Sequence, residues 1–267
     1  MSLTFESVGY RYAGSSRAVL DGIDLALEPG RVVGVIGPNG AGKSTLCLAA
    51  VGLAPKTIGG DLGGRVMIDG LDTTSASPSN LAQRAGILFQ EPHTQLSGSA
   101  PTVWEEVAFG PRNLALPLDE LVDRTWSAIE TLGIEQIVER DPGRLSGGQA
   151  QLVALSAVVA LRPAYLVLDE PTSQLDPLGT RLVGEALQRV AESTGAGILI
   201  VEHKTDLLAH LCDEILVIDQ GQIAASGRAP EVLGDAHLES WGVAPPASAR
   251  LRRAVESAGL EWDEAWT

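Results

Sequence analysis

The stretch Gly37-Pro38-Asn39-Gly40-Ala41-Gly42-Lys43-Ser44-Thr45 decides how this chain is read. A β-branched run, Val32-Val33-Gly34-Val35-Ile36, leads into it. A helical pattern beginning at Lys43 (Leu46, Leu48, Ala49, Ala50, Leu53) leads out. Strand, glycine-rich turn and helix are the setting that a G-x-x-x-x-G-K-[ST] phosphate loop requires. The glycines let the backbone curl until successive N–H groups point inward at an anion. The helix N-terminus adds partial positive charge at the same spot. Lys43 supplies a point charge for β- and γ-phosphates, and the Ser44 hydroxyl is a natural Mg²⁺ ligand.

The rest of the composition narrows the class. With 267 residues, 45% of them hydrophobic and 20% charged, the chain can bury a sizeable globular core. Its longest apolar run, Leu152 to Leu161, is interrupted by Ser156 and is far too short to cross a bilayer. The start, Met1-Ser2-Leu3-Thr4-Phe5-Glu6, lacks the basic and apolar segments of a signal peptide. Cys47 and Cys212 have no metal-ligand spacing, so a reduced, cytosolic compartment is expected. The net charge of −15, from 34 acidic and 19 basic residues, argues against gripping nucleic acid. The same charge offers little attraction to anionic lipid, so any work at a membrane needs a partner to hold the protein there.

Residues 3–8 and 17–27 alternate apolar and polar, which predicts antiparallel strands around a turn at Gly14-Ser15-Ser16. Glycines 59, 60, 63 and 64 predict a loop, and Arg65 to Asp69 an edge strand. Gly86 to Phe89 reads as a short buried strand ending at Gln90. Residues 91–117, with prolines at 92, 101, 111 and 117, read as loop-rich. Leu118, Leu121, Val122, Thr125, Trp126, Ile129 and Leu132 then fall on one helical face, and a second helix starts after Gly147. Residues 91–161 therefore read as a helical insertion.

Strand and helix alternate again beyond it. Tyr165 to Leu168 is a buried strand ending in Asp169-Glu170, and Leu182, Val183, Ala186, Leu187 and Val190 mark an amphipathic helix. Ile198 to Val201 runs into Glu202-His203, and strands at 214–218 and 222–225 close the pattern. A mainly parallel sheet with helices on its faces is expected. In the tail, Leu251, Val255, Ala258, Trp262 and Trp266 share a helical face, and Trp241 lies nearby. That stripe suits packing on its own domain or contact with another subunit.

Three further segments join the phosphate loop: Leu145-Ser146-Gly147-Gly148-Gln149, Leu166 to Asp176 containing Asp169-Glu170-Pro171-Thr172, and Ile200-Val201-Glu202-His203. With Gln90 at a strand end, their order resembles the nucleotide-binding subunits of ATP-binding cassette (ABC) transporters over residues 1–232. The run Phe89-Gln90-Glu91-Pro92, then Gln95-Leu96 and Thr102 to Asn113, is similar to the ATPases of energy-coupling factor importers, which take up vitamins or transition-metal ions.

The resemblance implies a P-loop NTPase (RecA-like) core with an antiparallel β subdomain over 1–90 and 162–232. A helical subdomain over 91–161 would carry the signature segment, and 233–267 would form a C-terminal helical extension. It implies that Gly37, Asn39, Gly40, Ala41, Gly42, Lys43, Ser44 and Thr45 cradle ATP, and that Tyr12 stacks on adenine while Tyr10 packs in its strand. Asp169, Ser44 and Gln90 would hold Mg²⁺, Glu170 would polarise the attacking water, and His203 would bond the γ-phosphate.

Ser146, Gly147, Gly148 and Gln149 would cap ATP held by a second ABC ATPase subunit, and Asp176 would report across that interface. Leu152, where a basic residue is common, and Gln174, where glycine is frequent, depart from the family pattern. The expected function is the ATP-hydrolysing motor of an importer, peripheral on the inner face of the cell membrane and coupled to separate transmembrane subunits. A soluble ABC-type ATPase is the alternative, usually marked by long coiled-coil insertions or a second cassette. A silent regulatory subunit would lack catalytic groups, and here every such position is filled.

Overall fold

The computed structural model describes residues 1–258. The chain runs β1 (Leu3–Arg11), β2 (Leu20–Leu27), β3 (Val32–Ile36), α1 (Lys43–Ala50), β4 (Asp61–Ile68), β5 (Leu71–Asp72), α2 (Pro78–Ala82) and β6 (Ala85–Leu88). Helices α3 (Pro92–Gln95), α4 (Val103–Asn113), α5 (Leu118–Leu132) and α6 (Gly147–Val159) follow without a strand between them. Then come β7 (Tyr165–Asp169), α7 (Pro177–Thr194), β8 (Gly197–Val201), α8 (Thr205–Leu211), β9 (Glu214–Asp219), β10 (Gln222–Arg228), α9 (Ala229–Gly234) and α10 (Ala247–Ser257).

Two sheets result. One is antiparallel, in the order β2-β1-β4-β5. The other has six strands in the order β10-β9-β3-β8-β7-β6, parallel except for β10. Every residue of β3, β7 and β8 is buried, as befits strands covered on both faces. Alternate residues feed two cores. Val33, Val35, Val167, Leu199 and Val201 point into a cluster shared with α1 and the antiparallel sheet. Ile36, Leu166, Leu168, Ile198 and Ile200 point into a cluster shared with α4 to α7. Because β3, β6, β7 and β8 are parallel, their C-terminal ends, and the loops that leave them, share one edge.

The helical stretch departs from its sequence reading. Residues 103–113 form a helix rather than loop, despite Pro101 and Pro111. Thr102 caps it: its hydroxyl accepts from the Glu105 amide at 3.2 Å and donates to the Glu105 carboxylate at 2.8 Å. Glu106, buried on α4, accepts from the Ser97 amide and hydroxyl, both at 2.7 Å, and so ties down the preceding loop. Gly63 and Gly64 lie inside β4, not in a loop: Gly63 pairs with Gly9 of β1, and Gly64 falls at the register shift between that pair and Glu6–Arg65. β4 is accordingly an inner strand between β1 and β5.

On α5 the buried residues are Leu121, Thr125, Ala128, Ile129 and Leu132, whereas Leu118 is 76% exposed and Trp126 is exposed too. On α7, Leu182 is likewise exposed. The apolar stripes there are wider than the faces they bury. Helix α10 buries none of its residues, and Leu251 lies open to solvent. Trp241 packs, half-buried, against the core, while Trp262 and Trp266 lie outside the described residues.

Candidate functional site

The turn from β3 into α1 is built on backbone that only glycine tolerates well. Gly37 (φ 148°) lies so close to β9 that a Cβ would sit 2.0 Å from the Ile218 carbonyl oxygen. Gly42 (φ 106°) caps α1, and a Cβ there would sit 2.6 Å from the Val19 carbonyl oxygen. Lys43 folds back under the loop, 6% exposed, and its Nζ donates to the carbonyls of Gly37 (2.9 Å) and Pro38 (3.0 Å). Burial pulls the Lys43 ammonium below the usual lysine range, opposed by the nearby Glu170 and Asp169 carboxylates. Tyr12, Asn39, Gly40, Gly42, Lys43, Ser44, Thr45 and Glu170 line one cavity of about 280 Å³ with Val19.

Asp169 ends β7, and its Oδ1 accepts from the Ser44 hydroxyl at 3.2 Å. Burial raises the Asp169 pKa above the ordinary carboxylate value; Ser44 opposes that shift and the Glu170 charge adds to it. This is a hard, oxygen-only donor set. Among the described residues, no group of three or more His, Cys, Asp or Glu could hold a metal by itself. Few protein oxygens, with water and phosphate left to complete the shell, suit Mg²⁺.

Glu170 follows in left-handed backbone (φ 49°), its N–H still donating to Val201 at 2.9 Å. That kink turns its carboxylate out over the sheet edge. Gln90, just beyond β6, donates from Nε2 to Glu170 Oε2 at 3.0 Å. His203, just beyond β8, brings Nε2 to 2.9 Å from Glu170 Oε1. Three sequence-predicted residues from three loops therefore meet on one carboxylate. His203 rests on Glu170 here. Tyr12 stands edge-on to Tyr10 (centroids 5.1 Å, interplanar 89°), and its hydroxyl shares a 2.8 Å hydrogen bond with Thr45. Tyr10 is buried in β1, as expected.

Ser146, Gly147, Gly148, Gln149 and Asp176 do not line this cavity. Ser146 and Gln149 instead form a reciprocal capping box at the start of α6, with Ser146 and Gly147 exposed. Asp176 caps α7 through a 2.7 Å bond from the Gly179 amide. A cavity of about 310 Å³ between α5, α6 and α7, with Arg124 and Arg162 on its wall, holds none of the expected site residues. Sequence reasoning passed over Glu202, which is 1% exposed at the end of β8. Its one signal was a carboxylate directly after four apolar residues.

A protein-family model described as ABC transporter matches residues 20–173. The chain is 38% identical over 266 residues to the energy-coupling factor transporter ATP-binding protein EcfA2 of Symbiobacterium thermophilum, covering 97% of this chain and 90% of that protein. It is 40% identical over 235 residues to the energy-coupling factor transporter ATP-binding protein EcfA of Methanosphaera stadtmanae, covering 87% and 81%. Among solved structures, cbiO1 from Clostridium perfringens, part of the ABC transporter complex cbiONQ, superposes with a TM-score of 0.79 at 30% identity, covering 97% and 98%.

Proposed function

The chain belongs to the ATP-binding subunits of ABC transporters, and from that premise we propose that it is the ATPase motor of an energy-coupling factor type importer. The observation that carries the site assignment is the Glu170 carboxylate, bonded by Gln90 and His203 and standing over the Lys43 loop. In this reading the backbone N–H groups of 37–45 hold the β- and γ-phosphates. Lys43 turns from the Gly37 and Pro38 carbonyls to meet them, and Tyr12 offers its ring to adenine. Ser44, Asp169 and Gln90 hold Mg²⁺, which when bound neutralises phosphate charge. Glu170 accepts a proton from the attacking water, and His203 and Gln90 fix where that carboxylate points.

Segment 146–149 begins with two exposed residues, Ser146 and Gly147, and does not line the cavity of its own phosphate loop, so we assign it to the nucleotide of a second such subunit, with Asp176 at the same interface. We assign residues 1–90 and 162–232 to the nucleotide-binding core, 91–161 to the helical unit that faces the membrane subunits, and 233–267 to a C-terminal extension. Among the described residues no helix is long and apolar enough to cross a membrane, and the net charge of −15 does not favour a lipid surface. Separate membrane subunits would therefore hold the protein at the inner face of the membrane.

The test is Glu170→Gln. ATP turnover falls about 10²- to 10⁴-fold, the usual weight of a general base, with ATP binding retained. The trapped variant pairs in the presence of Mg²⁺ and ATP, read by light scattering. Wild-type-like turnover overturns the assignment of Glu170. Co-purification with a membrane subunit tests the transport role.

A further inference from the structure

The loop after β8 is fastened to the loop after β7 by a set of bonds centred on Thr172, which is fully buried. The Thr172 amide donates to Glu202 Oε1 at 3.1 Å, and its hydroxyl donates to the same oxygen. Its carbonyl accepts from Lys204 Nζ at 2.7 Å. The other Glu202 oxygen, Oε2, accepts from the amides of His203 (2.6 Å) and Lys204 (3.1 Å). Lys204 Nζ also donates to the Thr180 hydroxyl at 2.6 Å, in the first turn of α7, whose cap is Asp176. Four donors thus satisfy a buried carboxylate that forms no ion pair among the described residues.

Such a group is costly to bury and fixes geometry only if every partner is in place. The residue between its two anchors is His203, on Glu170.

We propose that Glu202 and Lys204 are positioning residues, a clip that makes the His203 loop and the 171–176 loop move as one body. The inference rests on the ATPase reading above. It goes beyond that reading in joining the His203 side of a site to Asp176, the residue assigned to the facing subunit. A shift of His203 relative to Glu170 in one site would displace the Asp176 loop, and the reverse would hold equally.

The experiment is a double-mutant cycle on the full chain, reading kcat, ATP affinity and circular dichroism. Glu202→Gln places an NH₂ donor among N–H donors. It lowers kcat by about 10²-fold, the effect of misplacing a group by about 1 Å, with ATP affinity held within about twofold. In a His203→Ala background the same change costs under about threefold, because the clip acts through the imidazole. Thr172→Ser, which keeps every bond, retains wild-type turnover, whereas Thr172→Val loses about ten- to a hundredfold. That pair carries the same cycle if Glu202→Gln fails to fold.

Full, multiplicative losses in the His203→Ala background refute the clip while leaving the ATPase reading intact. Equal loss of ATP affinity and kcat refutes it too. Wild-type turnover in His203→Ala itself refutes the parent reading and the clip together.

Discussion

Alanine at Gly42 and alanine at Gly40 put the phosphate-loop geometry to a graded test. Both glycines have positive φ, 106° and 79°. An L-residue held there costs about 1–2 kcal/mol from Cβ against the following carbonyl. At Gly40 that is the whole cost, because nothing lies within 4 Å of the added carbon. At Gly42 the Cβ also meets the Val19 carbonyl oxygen at 2.6 Å and Leu20 Cδ2 at 2.9 Å. The neighbour is backbone and cannot rotate away. It is tethered in turn, since the Val19 amide donates to the Tyr10 carbonyl at 2.7 Å.

Overpacking of this kind adds about 1–3 kcal/mol. Gly42→Ala therefore costs roughly 2–5 kcal/mol against about 1–2 for Gly40→Ala. Urea unfolding reads the difference in stability, and titration with ATP without metal reads the loop. The larger loss of nucleotide affinity falls on Gly42→Ala, whose clash moves the start of α1. Equal destabilisation by the two substitutions, or the reverse order, would refute the account.

Tyr12 and Asp72 give two further outcomes. Tyr12→Phe loses the bond to Thr45 but keeps the ring, so ATP affinity stays within about threefold. Tyr12→Ala loses about ten- to a hundredfold, the weight of stacking on one base. Equal losses in a nucleotide titration would place the recognition in the hydroxyl. The side chain and amide of Thr74 hydrogen-bond the Asp72 carboxylate and hold its pKa below the ordinary value. A depressed acid stabilises the fold above the unfolded-state value, about 4, and loses that contribution as pH falls through its native value. The melting-temperature gap between wild type and Asp72→Asn accordingly closes below about pH 4. A gap that widens in acid would contradict the bond.

Local features were legible in the sequence, and contacts between distant segments were not. The phosphate loop needs only its own glycines and flanking elements, and β7 and β8 announce themselves as unbroken apolar runs. Helix α4 was missed because Pro101 and Pro111 outweighed the Thr102–Glu105 cap. Gly63 and Gly64 were misplaced because only the register with β1 makes them strand. The meeting of Gln90, Glu170 and His203 depends on β6, β7 and β8 lying side by side, so the sequence supplied the members and not the distances. Glu202 stayed unread because two of its four donors come from Thr172, thirty residues away, and the other two are backbone amides that no side-chain pattern announces.

The capping box at Ser146 and Gln149 has a consequence for how a pair of these subunits would separate. In the lone chain the Ser146 hydroxyl accepts from the Gln149 amide, and the Gln149 side chain answers the Ser146 amide. The front of α6 is thus already at rest before any phosphate arrives from across the gap. That cap uses the Ser146 hydroxyl only as an acceptor, so its own O–H is left to donate to a foreign anion while the cap, worth about 1 kcal/mol, stays in place. In the reading proposed above, departure of the terminal phosphate would remove the added bond and leave the front of α6 still satisfied by its own residues.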